Sequence, residues 1–378
     1  VPSFKATYDN FAVIGEDVSP TMLLIAPRET PFLDLLSDPD EPATNIYHQW
    51  REEFLGPDKL VASTAVNSAT AATGIQINGF GNQLQVGMLL EIDGGSAGTN
   101  EVAQISSIPG ANSILVTRNF GSRGVSSLAA GGNIFVISTA ELEGSETSGD
   151  VTRPRTGRGN YTQIFKKPVT VTGSDRAVIT NPDVGDEFDH QATLRAVELL
   201  RDLEKAVFRS VASGASIGGA TNYRTMDGLR QYLTAINSTI AATSFSANPL
   251  DYTNDLLQQA YNAGARDLNV LVCGGTWKRV LSGTNAAKLN ISQSERGIVR
   301  KLDYLETDFG LVQLLLTPWL GDNHMMGVNT DRIKVTPLRG RSFAKEALAK
   351  TGDSTKGHVI GEYTLEVHHP DKMFQAHT

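Results

Sequence analysis

Residues 181–213 read NPDVGDEFDHQATLRAVELLRDLEKAVFRSVAS. This stretch decides the fold, because it is the longest one with a single helical period. Apolar residues recur at Phe188, Ala192, Ala196, Leu199, Leu203 and Ala206, and Leu200, Val207 and Val211 widen the stripe. Steps of three and four residues put such side chains on one helix face. Asp183 is the expected N-cap, Pro182 bars an earlier start, and Gly214 is the expected stop. Glu198, Arg201, Asp202, Lys205 and Arg209 hold the opposite face, with mixed signs at three-residue spacing. A long helix without catalytic groups reads as scaffold, each fully buried apolar side chain contributing about 1.5–3 kcal/mol before entropy is subtracted.

Working outward, residues 1–45 are broken by Pro20, Pro27, Pro31, Pro39 and Pro42, so they read as an apolar arm with short helical turns, one capped by Thr30 ahead of Pro31. Residues 45–51 alternate like a strand, and 161–173 read as a strand that returns to pair with them in one long ribbon. Between them lies a compositional island. From residue 61 to 140 the charged residues are only Glu91, Asp93, Glu101, Arg118 and Arg123. Strand-like runs at 84–92, 101–105, 113–118 and 133–137 predict a small all-β module over 79–137. Its sparse charge points to partial cover by another surface. An acidic run, Glu141, Glu143, Glu146 and Asp150, is followed by a basic one, Arg153, Arg155, Arg158, Lys166 and Lys167, a pattern suited to gripping complementary partners.

Beyond the helix the pattern becomes α/β. Residues 249–265 predict an amphipathic helix capped by Asn248, 268–273 a strand, 276–281 a short helix, and 311–317 and 325–328 further strands. The tail, 332–337 and 359–368, returns as strands.

The bulk numbers exclude several classes. At 378 residues two or three domains are expected, and 40% hydrophobic with 20% charged residues is enough for a core. A formal charge of −8 excludes a generally basic nucleic-acid binder. The single cysteine, Cys273, sits in an apolar run and reads as a buried strand residue, in keeping with a reducing compartment. No apolar run is long enough to span a membrane. The chain opens at Val1, which leaves open a removed initiator or a cut precursor. Two G-x-S-x-G matches, around Ser96 and Ser216, lack the strand–turn–helix setting of a nucleophile elbow. There is no Gly-Lys-Ser/Thr phosphate loop and no HExxH, and the seven histidines show no ligand spacing. No catalytic residue, metal or cofactor is therefore expected, and a structural protein that assembles is. A hydrolase using Ser96 or Ser216 is the remote alternative. A nearer one is a tail or surface adhesin whose β module binds a receptor or glycan.

Four stretches carry a resemblance. They are Arg28-Glu29-Thr30-Pro31-Phe32-Leu33-Asp34-Leu35-Leu36, then Glu143-Gly144-Ser145 with Arg158-Gly159-Asn160-Tyr161-Thr162-Gln163-Ile164-Phe165, then the helix around 198–205. The most specific is Leu348-Ala349-Lys350-Thr351-Gly352-Asp353-Ser354-Thr355-Lys356-Gly357, followed by Gly361-Glu362-Tyr363-Thr364-Leu365-Glu366-Val367. In order and spacing the chain resembles the major capsid (major head) proteins of tailed bacteriophages, of the Hong Kong 97-like fold, in a subfamily with a β insertion in the extended loop. The resemblance implies an α+β fold with an N-terminal arm (1–45), an extended loop (46–78 and 138–175), a β insertion domain (79–137), a peripheral domain (176–247 and 331–378) with spine helix 183–213, and an axial domain (248–330). It implies self-assembly into hexamers and pentamers of an icosahedral head around double-stranded DNA, bound without sequence specificity. The virion is the implied location, with assembly in the host cytoplasm, and portal, scaffold and decoration proteins are the further partners. Arg28, Glu29, Glu143, Glu146, Arg153, Arg155, Arg158, Lys166 and Lys167 are the expected subunit-interface residues.

Overall fold

A computed structural model of the chain describes residues 30–36, 41–68, 73–93, 100–122, 124–141, 143–144, 155–177, 186–213, 222–288, 304–350 and 352–378. It falls into two units, Val1–Trp50 with Arg158–Thr378, and Arg51–Gly157. The strands Tyr47–Glu52 and Thr156–Tyr161 pair as a ribbon where the chain leaves the first unit and returns to it.

In the first unit the spine helix runs Glu187–Arg209, shorter at both ends than the sequence reading. Its N-cap is Asp186, whose carboxylate accepts from the Phe188 amide at 3.1 Å. Asp183 and Gly214 lie outside the described residues. The helix stops at Ser210, where the backbone turns extended. Phe188, Ala192, Leu199, Leu203 and Val207 are buried as the periodicity requires. Leu200 stays 40% exposed on the rim, and Val211 is 57% exposed beyond the helix end. The missing members of the buried face are Phe208 and, against its charge, Glu204.

This face packs on a sheet built around the tail strand Ser354–Val367. Ile333–Pro337 and Ala344–Ala347 pair with it, and Gln163–Thr172 runs antiparallel to it from Thr172↔Ser354 to Gln163↔Tyr363. The expected single return strand, 161–173, is therefore two strands with different partners. The switch is at Thr162, which is fully buried. Its amide donates to Ile46 O at 2.9 Å, its hydroxyl to Glu362 at 2.6 Å, and its carbonyl accepts from Arg224 Nε at 2.7 Å. With every polar group of Thr162 held, the chain crosses from the ribbon to the tail sheet without a buried orphan. Gly357 is where the helix touches this sheet, since a Cβ there would press on the Phe188 ring and the Glu346 carbonyl.

A second, mixed sheet orders Asn237–Thr239, Phe374–His377, His324–Val328, Val270–Cys273, Gly310–Leu316 and Tyr304–Thr307. Val270–Cys273 is parallel to Gly310–Leu316 and antiparallel to His324–Val328, so it is covered on both edges and reads as a continuous apolar run. Helices Pro249–Asn262 and Gly275–Lys288 belong with it, and Leu256, Leu257, Trp277 and Leu281 fill its core with Phe245. Asn248 starts the first helix without a side-chain cap, and Pro249 at the first position does the ordering instead. Cys273 is fully buried, and desolvation pushes its thiol up to about 12. The last strand, Phe374–His377, lies within this sheet, so the unit's C-terminal residues serve both of its sheets.

The second unit is a barrel. Its order is Lys59–Val61, Asn133–Thr139, Met88–Ile92, Glu101–Gly110, Ser113–Thr117 and Gly74–Gln76, with every pairing antiparallel. A bridge between Ala62 and Ile77 joins the last strand to the first and closes the ring. Ser63 N reaches Gln76 O at 2.9 Å and Asn78 N reaches Val61 O at 3.0 Å. The barrel's strands therefore begin before residue 79, because closure needs the short strands at 59–61 and 74–76, and its strand Asn133–Thr139 ends two residues past 137. Closure also removes the open edges of a small sheet. Leu60, Ile75, Ile77, Leu90, Ile92, Ile105, Ile114, Val116 and Ile134 fill the interior.

Candidate functional site: anchors and assembly surfaces

The spine helix holds the N-terminal segment through one buried carboxylate. Thr30 and Pro31 lead into a short 3-10 turn, Leu33–Leu35. The amides of Phe32 and Leu33 both donate to Glu204 Oε2 at 3.3 Å, and the Thr317 hydroxyl donates to Oε1 at 3.2 Å. Phe32 is fully buried and packs on Phe208 with ring centroids 4.8 Å apart. Among the described residues Glu204 has no cationic partner. Burial raises its pKa to about 7 against the pull of the Leu33, Phe32 and Thr317 hydrogen bonds.

The tail motif supplies a second anchor. Glu362, Thr364 and Glu366 share one face of the strand Ser354–Val367. Glu362 is 3% exposed and bridges Arg224 and Arg341. Glu366 accepts from His48 Nε2 at 3.1 Å and His368 Nε2 at 2.7 Å. Burial raises its pKa, but the hydrogen bonds and charges of His368 and His48 outweigh this and hold it at about 2. Trp50 packs beside both imidazoles. A polar groove of about 640 Å³, lined by Glu41, Asn45, His48, Lys334 and Glu366, opens beside this cluster. Asn160 is 2% exposed and holds Leu365 O at 2.9 Å and Asp227 at both amide and carbonyl.

The expected interface charges scatter. Arg28, Glu29, Glu146 and Arg153 lie outside the described residues, as do both G-x-S-x-G serines. Glu143 and Lys166 are exposed. Arg155 pairs with Glu53, and Arg158 with Asp371 at 3.0 Å. Lys167 turns onto the spine helix, 3.1 Å from Glu198 and 2.8 Å from Asp202. Arg155, Arg158 and Lys167 thus have partners within the chain, while Glu143 and Lys166 face solvent.

Two groups of exposed apolar side chains lie where the charge pattern does not mark them. In the second sheet the edge strand Tyr304–Thr307 and its neighbour Gly310–Leu316 present Tyr304 at 56%, Leu311 at 65% and Leu316 at 50% exposure. Phe309 joins Tyr261 there, with centroids 5.5 Å apart. On the barrel, Phe80, Phe120, Phe135 and Ile137 point outward. Among the described residues no group of three or more His, Cys, Asp or Glu side chains is arranged to hold a metal ion. No described helix is long and apolar enough to cross a membrane.

The sequence matches the family model described as SU10 major capsid protein over residues 3–377. No curated protein matches it. The fold is similar to a solved structure of Mycobacterium phage Bobi, with a TM-score of 0.50 and 11% identity over 99% of this chain and 99% of that one. Mycobacterium phage Adephagia gives a TM-score of 0.47 at 9% identity, covering 97% of this chain and 92% of that one. The capsid structure of cyanophage P-SCSP1u gives 0.46 at 10%, covering 64% and 80%. None of these similarities supports the adhesin alternative. The chain belongs to the SU10 major capsid protein family, a structural subunit of an icosahedral bacteriophage capsid with the Hong Kong 97-like fold.

Proposed function

We propose that copies of this chain meet as hexamers and pentamers, close an icosahedral shell around double-stranded DNA in the host cytoplasm, and carry out no chemical step. The observation that supports the ring contact most is the apolar edge formed by Tyr304, Phe309, Leu311 and Leu316. An edge strand with half-exposed apolar side chains invites pairing with another chain and is stable in solution when covered. A second copy covers it in a head-to-tail ring, which closes when the rotation between copies does. This is the axial assignment of residues 248–330, with 1–45 as the arm, 46–78 and 138–175 as the extended loop, 79–137 as the insertion and the remainder peripheral. Arg28, Glu29, Glu143, Glu146, Arg153, Arg155, Arg158, Lys166 and Lys167 supply the polar rim, with Glu143 and Lys166 the best placed of the described ones. The net charge of −8 suits a wall around dense DNA, where a strongly basic surface would bind tightly and salt-dependently. Portal, scaffold and decoration proteins complete the expected partners.

Negative-stain electron microscopy with sedimentation velocity tests this on wild type and Leu311→Lys. Wild type is expected to give shells, tubes or rings, and Leu311→Lys folded single chains with an unchanged circular dichroism spectrum. Equal particle yields from both would overturn the ring assignment.

A further inference from the structure

The first unit carries a cluster of cationic and imidazole groups that the anchors above do not use. Arg209 leaves the last turn of the spine helix, and Arg230 the short helix Leu229–Tyr232. His324 starts the strand His324–Val328, and His377 ends Phe374–His377. Both arginines converge on the turn at Gly321. A Cβ placed on Gly321 would lie 2.8 Å from one Arg209 terminal nitrogen, 3.4 Å from one of Arg230 and 3.3 Å from His324 Cδ2. Gly321 has a φ of 103°, so the turn needs glycine, and the absence of a Cβ is what lets the two guanidinium groups approach it this closely. The imidazoles of His324 and His377 stack at 5.5 Å, and the Thr239 hydroxyl meets His377 Nε2 at 3.0 Å.

Among the described residues no acid joins this convergence. Arg230 donates to Leu320 O, while its Nε is buried with no hydrogen-bond partner among the described residues. Arg209 has neither a hydrogen bond nor an ion pair among them, and its position complements only the helix terminus. The nearest acid in the turn, Asp322, directs Oδ1 toward helix Gly275–Lys288, 3.5 Å from where a Gly275 Cβ would sit. The cost shows in the neighbours. Burial, then Arg230, His377 and Arg209, push His324 down to about 4, and burial with Arg209 lowers Arg230. Like charges drawn together and partly desolvated without a counter-charge are the signature of a site completed by an anion.

We infer that Arg209, Arg230, His324 and His377 form a binding site for a phosphate group. Donor number favours phosphate over carboxylate. A carboxylate offers two oxygens and is satisfied by one guanidinium fork, whereas two guanidinium groups with imidazoles beside them match the three or four oxygens of a phosphate. Free phosphate and the phosphodiester of a nucleic acid share this chemistry, and the experiment separates them.

Isothermal titration of the full chain with inorganic phosphate, at ionic strength matched by chloride, is expected to show saturable binding. Arg209→Ala, an exposed position, should weaken it by about tenfold or more, as loss of a charged hydrogen bond does. Arg339→Ala, equally exposed, should leave it unchanged. A short mixed-sequence DNA duplex followed by fluorescence anisotropy is the second arm. Duplex binding that phosphate displaces and Arg209→Ala weakens identifies the nucleic-acid phosphate as the ligand. Phosphate binding without duplex binding identifies free phosphate. No saturable binding of either, equal loss in Arg339→Ala, or acetate binding as tightly as phosphate would each overturn the inference, the last in favour of a carboxylate from a neighbouring copy.

Discussion

The barrel and the spine helix each bury one glutamate, and the two are handled in opposite ways. Glu101 of the barrel accepts the amides of Asn119 and Ser126, both at 2.9 Å. Glu204 of the spine helix accepts those of Phe32 and Leu33. Both carboxylates are fully buried. The difference is the cation. Arg118 forks onto Glu101, with Nε at 2.6 Å, and also donates to Asn67 O and Ser126 O. Burial would raise Glu101, but the hydrogen bonds from Arg118, Ser126 and Asn119, with the Arg118 charge, bring it below its usual value. Glu204, with a hydroxyl where Glu101 has a guanidinium, goes up to about 7. The barrel thus owns a fixed charge pair tying two strands to a loop, and the spine a proton-sensitive clip on the N-terminal segment.

The largest expected effect comes from turning the first into the second. Arg118→Met removes the cation and leaves Glu101 buried and ionised, with a cost of about 3–5 kcal/mol. Urea unfolding followed by circular dichroism should show that loss at pH 7. It should also show a new pH dependence, with the variant recovering as pH falls and Glu101 takes a proton. A loss independent of pH would mean that Arg118 acts through packing alone.

Glu204→Ala comes next. It orphans the buried Phe32 amide, the half-buried Leu33 amide and the Thr317 hydroxyl, at about 1–3 kcal/mol for each group that water cannot reach. Glu204→Gln keeps the geometry, because its carbonyl accepts from Phe32 and Leu33 and its amide donates to Thr317. It copies the protonated acid and should match or exceed wild type above pH 7. The sign of the wild-type dependence follows from a pKa raised from 4.5 to about 7. Between those values the folded chain holds a proton that the unfolded chain has lost. Stability then falls with rising pH by about 1.4 kcal/mol per unit and levels off above the folded value. Glu366, depressed to about 2, acts in a separate window, its contribution present above 4.5 and lost as pH falls toward 2. Unfolding of wild type and Glu204→Gln from pH 5 to 8 isolates the first dependence. Parallel curves would mean that Glu204 is ionised throughout.

This contrast sets the limit of what the sequence discloses. The apolar face of the spine helix was legible because Phe188, Ala192, Leu199, Leu203 and Val207 obey its period. Glu204 was not, because a glutamate on a helix next to Lys205 reads as solvated, and only the arriving backbone of residues 32 and 33 makes burial tolerable. The alternation of Glu362, Thr364 and Glu366 was the one local sign of charge on an inward strand face. The barrel's long runs were visible, whereas the strands of three residues at 59–61 and 74–76 are too short for any period. Their pairing depends on closure, which no local pattern encodes. The partner switch at Thr162 was hidden for the same reason, since 161–173 has uninterrupted strand character. The phosphate-site residues lie far apart in sequence and meet only through the turn at Gly321. Of the apolar edge, Leu311 was read as ordinary strand and Tyr304 fell outside every expected strand, the exposure of both being a property of the sheet order.

The smallest effect isolates burial from charge. Lys167 has two carboxylates, Glu198 at 3.1 Å and Asp202 at 2.8 Å, one more than Arg118, but its side chain is 25% exposed where that of Arg118 is fully covered. If the number of opposite charges set the energy, Lys167→Ala would cost more than Arg118→Met. If desolvation sets it, water screens the surface cluster, and Arg195 remains beside Glu198 after Lys167 is gone. The expected cost is then about 0.5–1 kcal/mol, shrinking further as salt is raised. Urea unfolding of Lys167→Ala in low salt and in 1 M salt, a concentration at which the screening length is about 3 Å, measures both. A loss approaching that of Arg118→Met, and insensitive to salt, would show that charge number governs both sites, and the distinction between a locked barrel pair and a clip that titrates would rest on geometry instead.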